Sequence, residues 1–308
     1  MATRALSVIQ GSWQLLRFTA VASSSFSTIL STLLPLILFY SISTDAIISL
    51  FMILSIGALF FHGVLTHLLN DVSDYKSGTD AHSPAILSGG SRVTQDGYFS
   101  VDDLEKLGDR LIYAIVFSCI ALVFFGFYQI SILLLIGVWA AASYSCLPLR
   151  LSYRPFVGEV LSLFPSMLAL GLAGAWLALD DLPAWALQNA TINALFCVAW
   201  VMVHHIPDRH ADQQAKPKKR TTVVWAMEKF GQAYSRFPAL IYLLLTGACI
   251  FWLGTERLWA GLGLLVIVTA SVVLVTKMNI NDDQQVSACE KIMLLLAIVN
   301  AIWLGVFI

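Results

Sequence analysis

Nine apolar stretches, each of bilayer-spanning length, dictate what this chain can fold into. They run approximately over residues 19–42, 47–69, 111–127, 129–147, 158–179, 186–206, 238–254, 257–276 and 290–308. A hydrocarbon core takes about 20 mainly apolar residues per helix. Without water to bond the backbone, helices are the form in which such stretches satisfy their own amides. Hydrophobic residues make up 58% of the 308 and charged residues 12%, against about 25% charged in an ordinary soluble domain. The expectation is an all-α membrane protein with a single transmembrane domain over residues 1–308. The third and fourth stretches, parted only by Gly126 to Gln129, should form a tight helical hairpin, whereas a short polar break, Gly254-Thr255-Glu256-Arg257, divides the seventh from the eighth. No small-residue cleavage pattern follows Met1 to Gln10, so the first span is expected to stay rather than leave as a signal peptide. The five cysteines stand singly, without metal or disulfide spacing, and read as small apolar fillers.

Nine spans send alternate loops to opposite sides, so the lysines and arginines test the count. Of the eighteen, all but Arg257 fall on one side: Arg4 and Arg17; Lys76, Arg92, Lys106 and Arg110; Arg150 and Arg154; Arg209, Lys216, Lys218, Lys219, Arg220, Lys229 and Arg236; Lys277 and Lys291. A wrong count would scramble that asymmetry. The positive-inside rule then puts the N-terminus in the cytoplasm and the C-terminus outside. The expected location is a bacterial cytoplasmic membrane with the active site toward the cytoplasm. The net charge of −1 carries little information in such a protein, and no nucleic-acid partner is expected.

The long polar loops, 70–110, 144–158 and 204–237, all fall on the positive side and should form a polar cap. In the first, Ser100-Val101-Asp102-Asp103 resembles a capping box that opens a short helix toward Arg110. In the last, Val223, Met227 and Phe230 recur at helical spacing and are expected to lie on the membrane surface.

Two acidic stretches stand at span ends on that side. They are Asn70-Asp71-Val72-Ser73-Asp74-Tyr75-Lys76-Ser77-Gly78-Thr79-Asp80 and His204-His205-Ile206-Pro207-Asp208-Arg209-His210-Ala211-Asp212. Carboxylates beside hydrocarbon are costly unless they meet a cavity, a partner or a cation. Asn70 and Asp74 are four apart, as are Asp208 and Asp212, which places each pair on one helical face. Two such faces looking into one cavity would supply hard oxygens for Mg²⁺, an ion that takes one or two carboxylates together with phosphate oxygens and water. The bland alternative is that these are solvated helix ends, where Asn and Asp favour turns. Similar spacing, the same side and matching positions after spans two and six argue against it. Lys76, Arg92 after Gly89-Gly90-Ser91, Arg150 and Arg154 complete an anion site, since glycine lets phosphate approach the backbone and arginine offers a planar fork. Each of these cations alone reads first as a topology determinant and only then as a ligand. His204 and His205 are softer ligands than Mg²⁺ prefers, so hydrogen bonding to a carboxylate or substrate is expected of them. The Lys216 to Arg220 run reads as a solvated or headgroup-binding loop.

These residues resemble the UbiA superfamily of intramembrane prenyltransferases, and the likeness covers nearly the whole chain. Asn70, Asp71 and Asp74 match its NDxxD signature, Asp208 and Asp212 its DxxxD core. Tyr144-Ser145, Pro148, Arg150, Leu151-Ser152-Tyr153-Arg154 and Gly158-Glu159 are similar to its stretch after the fourth helix. Lys76 to Asp80 and Gly89 to Val93 resemble the branch that includes the 1,4-dihydroxy-2-naphthoate polyprenyltransferases of menaquinone synthesis. His204-His205 stands where that signature commonly begins with Asn, and the usual Gly-Lys is replaced by the Lys216 to Arg220 run.

The resemblance implies nine helices around a central cavity and Mg²⁺-dependent transfer of a prenyl group from a prenyl diphosphate to an aromatic acceptor. Asn70, Asp71, Asp74, Asp80, Asp208 and Asp212 would hold metal, and Lys76, Arg92, Arg150 and Arg154 the diphosphate. Asp74, Asp208, Arg150 and Tyr144 are the catalytic candidates. Tyr75, Tyr144 and Tyr153 are placed to stabilise an allylic cation. The prenyl chain is expected to lie among the helices, open laterally to membrane lipid. A UbiA-type terpene cyclase with no external acceptor is the second enzyme reading. A transporter would need titratable groups deep within the spans, and the spans are nearly free of them.

Overall fold

Each apolar stretch closes into a helix, and the polar residues at its ends decide where it starts and stops. The computed structural model describes residues 2–84 and 87–308. In chain order the helices are α1 (Ala2–Leu16), α2 (Phe18–Phe39), α3 (Thr44–Ser77), α4 (Val101–Phe124), α5 (Tyr128–Ser145), α6 (Glu159–Leu179), α7 (Ala184–His204), α8 (Arg209–Gln214), α9 (Thr222–Phe230), α10 (Gln232–Leu253), α11 (Leu258–Lys277) and α12 (Asp283–Val306). Among the described residues nine of these are long and apolar enough to cross a membrane, and no strand occurs. The protein is an all-α integral membrane protein.

Three boundaries differ from the sequence reading, each for a local reason. Helix α3 runs on to Ser77 through a π-helical stretch, Leu59–Thr66, so the first acidic stretch stays helical as far as Ser77 instead of leaving the span at residue 69. The Ser100 hydroxyl accepts from the Asp103 amide at 3.1 Å, but the helix it caps is not a short one toward Arg110: it continues as the membrane helix α4. Asp282 accepts from the amides of Gln284 and Gln285, which starts α12 at Asp283 and carries Glu290 inside the last span rather than at its edge. Helix α1 has no counterpart among the nine apolar stretches. The hairpin between α4 and α5 has the expected tight turn over residues 125–127.

The most buried of the spanning helices is α7, which packs against α2, α6, α10 and α12. Small residues permit that centrality. Ala186, Ala190, Ala194 and Ala199 are all buried, and a Cβ at Gly171 of α6 would come within 3.0 Å of the Ala190 Cβ. Close approach of this kind, with polar side chains as glue, is how helices associate in lipid. Asn193 donates to Thr28 Oγ1 at 3.1 Å and Asn189 to the Ser31 carbonyl at 3.0 Å, which fixes α7 against the Ser/Thr-rich face of α2.

The helix over Thr222–Phe230 forms as expected, but its apolar face does not lie on the membrane surface. Val223 and Met227 are buried against the bundle and only Phe230 is exposed. Arg257, the one cation on the far side, is no loop charge either. Its guanidinium is buried and donates to the Phe307 carbonyl (3.0 Å), Gln188 Oε1 (2.8 Å), Asn189 Oδ1 (2.9 Å) and the Leu304 carbonyl (2.8 Å). Burial lowers its pKa to about 10, which leaves it charged at neutral pH. Arg257→Met should therefore destabilise the protein by about 3 kcal/mol, because it orphans several buried acceptors at once. Arg257→Lys should recover only part, since an ammonium lacks the planar fork. Thermal unfolding of the three proteins in one detergent checks both statements.

Candidate functional site

The two acidic stretches meet at the mouth of one cavity. Asn70 and Asp74 reach it from the end of α3, and Asp208 and Asp212 from the cap and first turn of α8. The i, i+4 pairing holds on α3, where Asn70 Nδ2 donates to Asp74 Oδ2 at 2.8 Å. Pro207 follows the end of α7, the chain turns, and α8 restarts with Asp208 at its N-cap, so Asp212 lies one turn further on the new helix. The cavity has a volume of about 300 Å³, and Asp80 and Tyr144 also line it. Below the acids its wall is apolar, including Leu54, Phe61, Leu133, Leu170 and Leu177. On α5 the lining runs from Ile130 to Tyr144, a rise of roughly 21 Å at 1.5 Å per residue. One end is acidic, and the remaining wall is mainly apolar, interrupted by Arg17 and by the histidines His62, His67, His204 and His205.

The Gly89-Gly90-Ser91 turn ties the two stretches together. The Gly89 amide donates to Asp208 Oδ2 at 3.2 Å. The Ser91 amide donates to Asp71 Oδ1 at 3.2 Å, and the Ser91 hydroxyl to Asp71 Oδ2. Both glycines have positive φ, +88° and +74°, and a Cβ would meet the Pro84 carbonyl oxygen at 2.1 Å or Asp80 Oδ1 at 2.8 Å. Only glycine fits there. The sequence reading assigned this turn to phosphate. In the structure its amides hold carboxylates, and Asp71 faces the turn rather than lining the cavity.

Lys219 corrects the reading of its loop as a solvated one. Residues 218–220 belong to no helix or strand, and their side chains part to opposite sides. Lys218 and Arg220 point outward to Glu228, at 2.7 and 2.9 Å. Lys219 points inward and is buried, with Nζ 2.7 and 2.8 Å from the two Asp74 oxygens and 3.8 Å from Asp212 Oδ1. Its backbone amide donates to the Asp212 carbonyl at 3.0 Å, and that of Lys216 to the Ser77 carbonyl at 2.9 Å, which pins the loop across the cavity mouth. Three consecutive cations carry no sign in the sequence of which one turns inward.

Electrostatically the mouth is an excess of buried acid around one base. Burial alone would depress the Lys219 ammonium, but the carboxylates of Asp74 and Asp212 outweigh it and hold the ammonium well above its usual value. Burial raises Asp208, and it raises Asp212 well above the ordinary carboxylate range. Burial, then the charges of Asp74 and Asp71, push Asp80 up to about 8. Asp208 Oδ1 and Asp212 Oδ1 are buried and accept no hydrogen bond.

These orphaned hard oxygens suit a divalent cation. Among the described residues, however, no three His, Cys, Asp or Glu side chains converge on one point. The donor set therefore fits Mg²⁺ only in its substrate-completed form, with one or two carboxylates from each stretch and the remaining positions filled by phosphate oxygens and water.

The other expected residues lie apart. Lys76 is exposed and pairs with Glu105 at 2.6 Å, and Arg154 is exposed. Arg92 is half-buried, and Arg150 stands over the Tyr153 ring at 5.2 Å; none of these four cations lines the cavity. Of the tyrosines, Tyr144 faces the cavity and its hydroxyl is 3.2 Å from His205 Nε2, whereas Tyr75 is exposed. His204 Nδ1 lies 3.0 Å from Glu290 Oε1, so the expected histidine–carboxylate hydrogen bond is present. Glu290 went unnoticed in the sequence, although a lone acid within an apolar span is itself a signal. Comparison of the chain with family models, curated proteins and solved structures finds no match in any of the three.

Proposed function

We propose that this protein is a prenyltransferase of the UbiA kind, moving a prenyl group from an allylic diphosphate to an aromatic acceptor. The observation that carries the reading is the convergence of Asp74, Asp208 and Asp212 on the mouth of a long apolar cavity. A substrate with an anionic head and a hydrocarbon tail matches that division. The motif style favours the dihydroxynaphthoate branch of quinone synthesis. The acids share a side with all lysines and arginines but Arg257, which supports a cytoplasmic mouth.

Asn70, Asp74, Asp80, Asp208 and Asp212, which line the cavity, would hold Mg²⁺, with Asp71 behind them on the Ser91 turn. When bound, the ion neutralises charge that develops on the departing diphosphate. The chain's own residues do the rest. Lys219 supplies a positive charge at the same point, bonded to both Asp74 oxygens, that a diphosphate oxygen would share. The apolar wall excludes water from the allylic carbon once its C–O bond breaks and the electron pair leaves with diphosphate. The Tyr144 ring offers a π face to the resulting cation.

The test is incubation of the purified protein with Mg²⁺, allylic diphosphates of several lengths and hydroxyaromatic acceptors, followed by mass spectrometry. A prenylated acceptor that disappears when EDTA is added is the expected result. A cyclic hydrocarbon or alcohol from the diphosphate alone would assign a cyclase instead.

A further inference from the structure

A second polar cluster lies in the same cavity wall, where the end of α7 meets α12 and the start of α2. Its centre is His204. Nδ1 lies 3.0 Å from Glu290 Oε1, and Nε2 lies 3.5 Å from Arg17 Nη2, which also donates to the Leu87 carbonyl. The Trp200 ring packs beside the imidazole with centroids 5.5 Å apart. Arg17, Trp200 and His204 all line the cavity.

The partners assign the tautomer. A guanidinium can only donate, so the imidazole nitrogen facing Arg17 carries the lone pair. The proton is then on Nδ1 and is donated to Glu290. A carboxylate behind an imidazole holds the ring in place and stabilises the imidazolium that forms when the other nitrogen takes a proton.

Three features of this cluster are costly without a ligand. Glu290 is fully buried within a membrane helix, and its Oε2 accepts no hydrogen bond; acids so placed mark function. The Trp200 indole N–H is buried without an acceptor. Arg17 has φ 46° and ψ 47°, a left-handed conformation between α1 and α2 that costs a non-glycine residue about 1–2 kcal/mol. That conformation sets the guanidinium beside the imidazole lone pair. A lone pair and a cation side by side are what a weakly acidic hydroxyl needs in order to ionise.

We infer that this cluster is the acceptor site, in which a hydroxylated aromatic ring binds and passes its hydroxyl proton to His204 Nε2. The inference deepens the prenyl-transfer reading and rests on it for the second substrate. Arg17 holds the resulting oxyanion, and Glu290 is a positioning residue acting through His204. The oxyanion enriches the ring in electrons, and a ring carbon then bonds to the allylic carbon as diphosphate leaves with the C–O electron pair. His204 returns its proton to the oxygen, and the ring hydrogen departs as the proton that accompanies diphosphate. One neutral imidazole is regenerated per turnover.

The test uses the full chain in detergent with 1-naphthol as probe, at a pH well below that at which free naphthol ionises. The wild type should bind naphthol and show the red-shifted naphtholate absorption band. His204→Gln should bind without the band, and Glu290→Gln should show a weaker one, because an amide does not stabilise the imidazolium. With an allylic diphosphate and Mg²⁺ added, naphthol prenylation by His204→Gln should fall by at least about a hundredfold, the usual contribution of a general base. Absence of the band in the wild type, or an undiminished band in His204→Gln, overturns the assignment. A wild type that shows the band but makes no prenylated product upholds the base and instead refutes prenyl transfer.

Discussion

Replacing Asp74 and Asp208 together by alanine will lower Mg²⁺-dependent prenyl transfer by at least about a thousandfold, equivalent to roughly 4 kcal/mol of transition-state stabilisation. The size follows from what the two carboxylates do. One comes from α3 and the other from the cap of α8, so each removes a different half of the charge at the mouth. Asp74 pairs with the buried Lys219 and Asp208 accepts from the Gly89 amide, so the double variant should also lose stability, and turnover is compared on protein whose melting curve shows it folded. Lys76→Gln and Arg154→Gln are the controls. Both side chains are exposed and off the cavity, and Lys76 is held only by a surface pair with Glu105, worth at most about 1 kcal/mol. Their turnover should stay within about twofold of wild type, the range of ordinary surface substitutions. A folded Asp74→Ala/Asp208→Ala protein with full turnover would sink the proposed function.

The second large effect belongs to Lys219. Its ammonium is the nearest counter-charge to Asp74 and Asp212, and breaking a buried pair from one side typically costs about 3–5 kcal/mol. Lys219→Met should therefore lower thermal stability sharply in the absence of divalent cation. Added Mg²⁺ should restore more stability to the variant than it adds to the wild type, since the acids left behind bind the ion without a competing ammonium. Melting curves with and without Mg²⁺ read this difference directly. An equal Mg²⁺ effect on the two proteins would show that Lys219 and the metal do not share the same acids. Transfer should also fall, because the positive charge beside the diphosphate is gone.

Much of this architecture was legible in the chain. Spans can be counted because lipid offers no partner to a backbone amide, so hydrophobic length alone requires a helix. Asn70 with Asp74, and Asp208 with Asp212, could be paired because helical spacing puts residues four apart on one face. The tight turn between α4 and α5 followed from the short polar gap.

What spacing could not supply was direction across the bundle. The sequence by itself determined nine spanning helices, which the described residues bear out, and the pairing within each acidic stretch, because these depend on local periodicity and hydrophobic length. Only the tertiary structure decided that Asp71 turns to Ser91, that Lys219 turns inward while Lys218 and Arg220 turn out, and that Glu290 of α12 backs His204 of α7. Glu290 and His204 are 86 residues apart. No local rule joins them; they meet because small residues let α7 sit at the centre of the bundle, within reach of the helices that surround it.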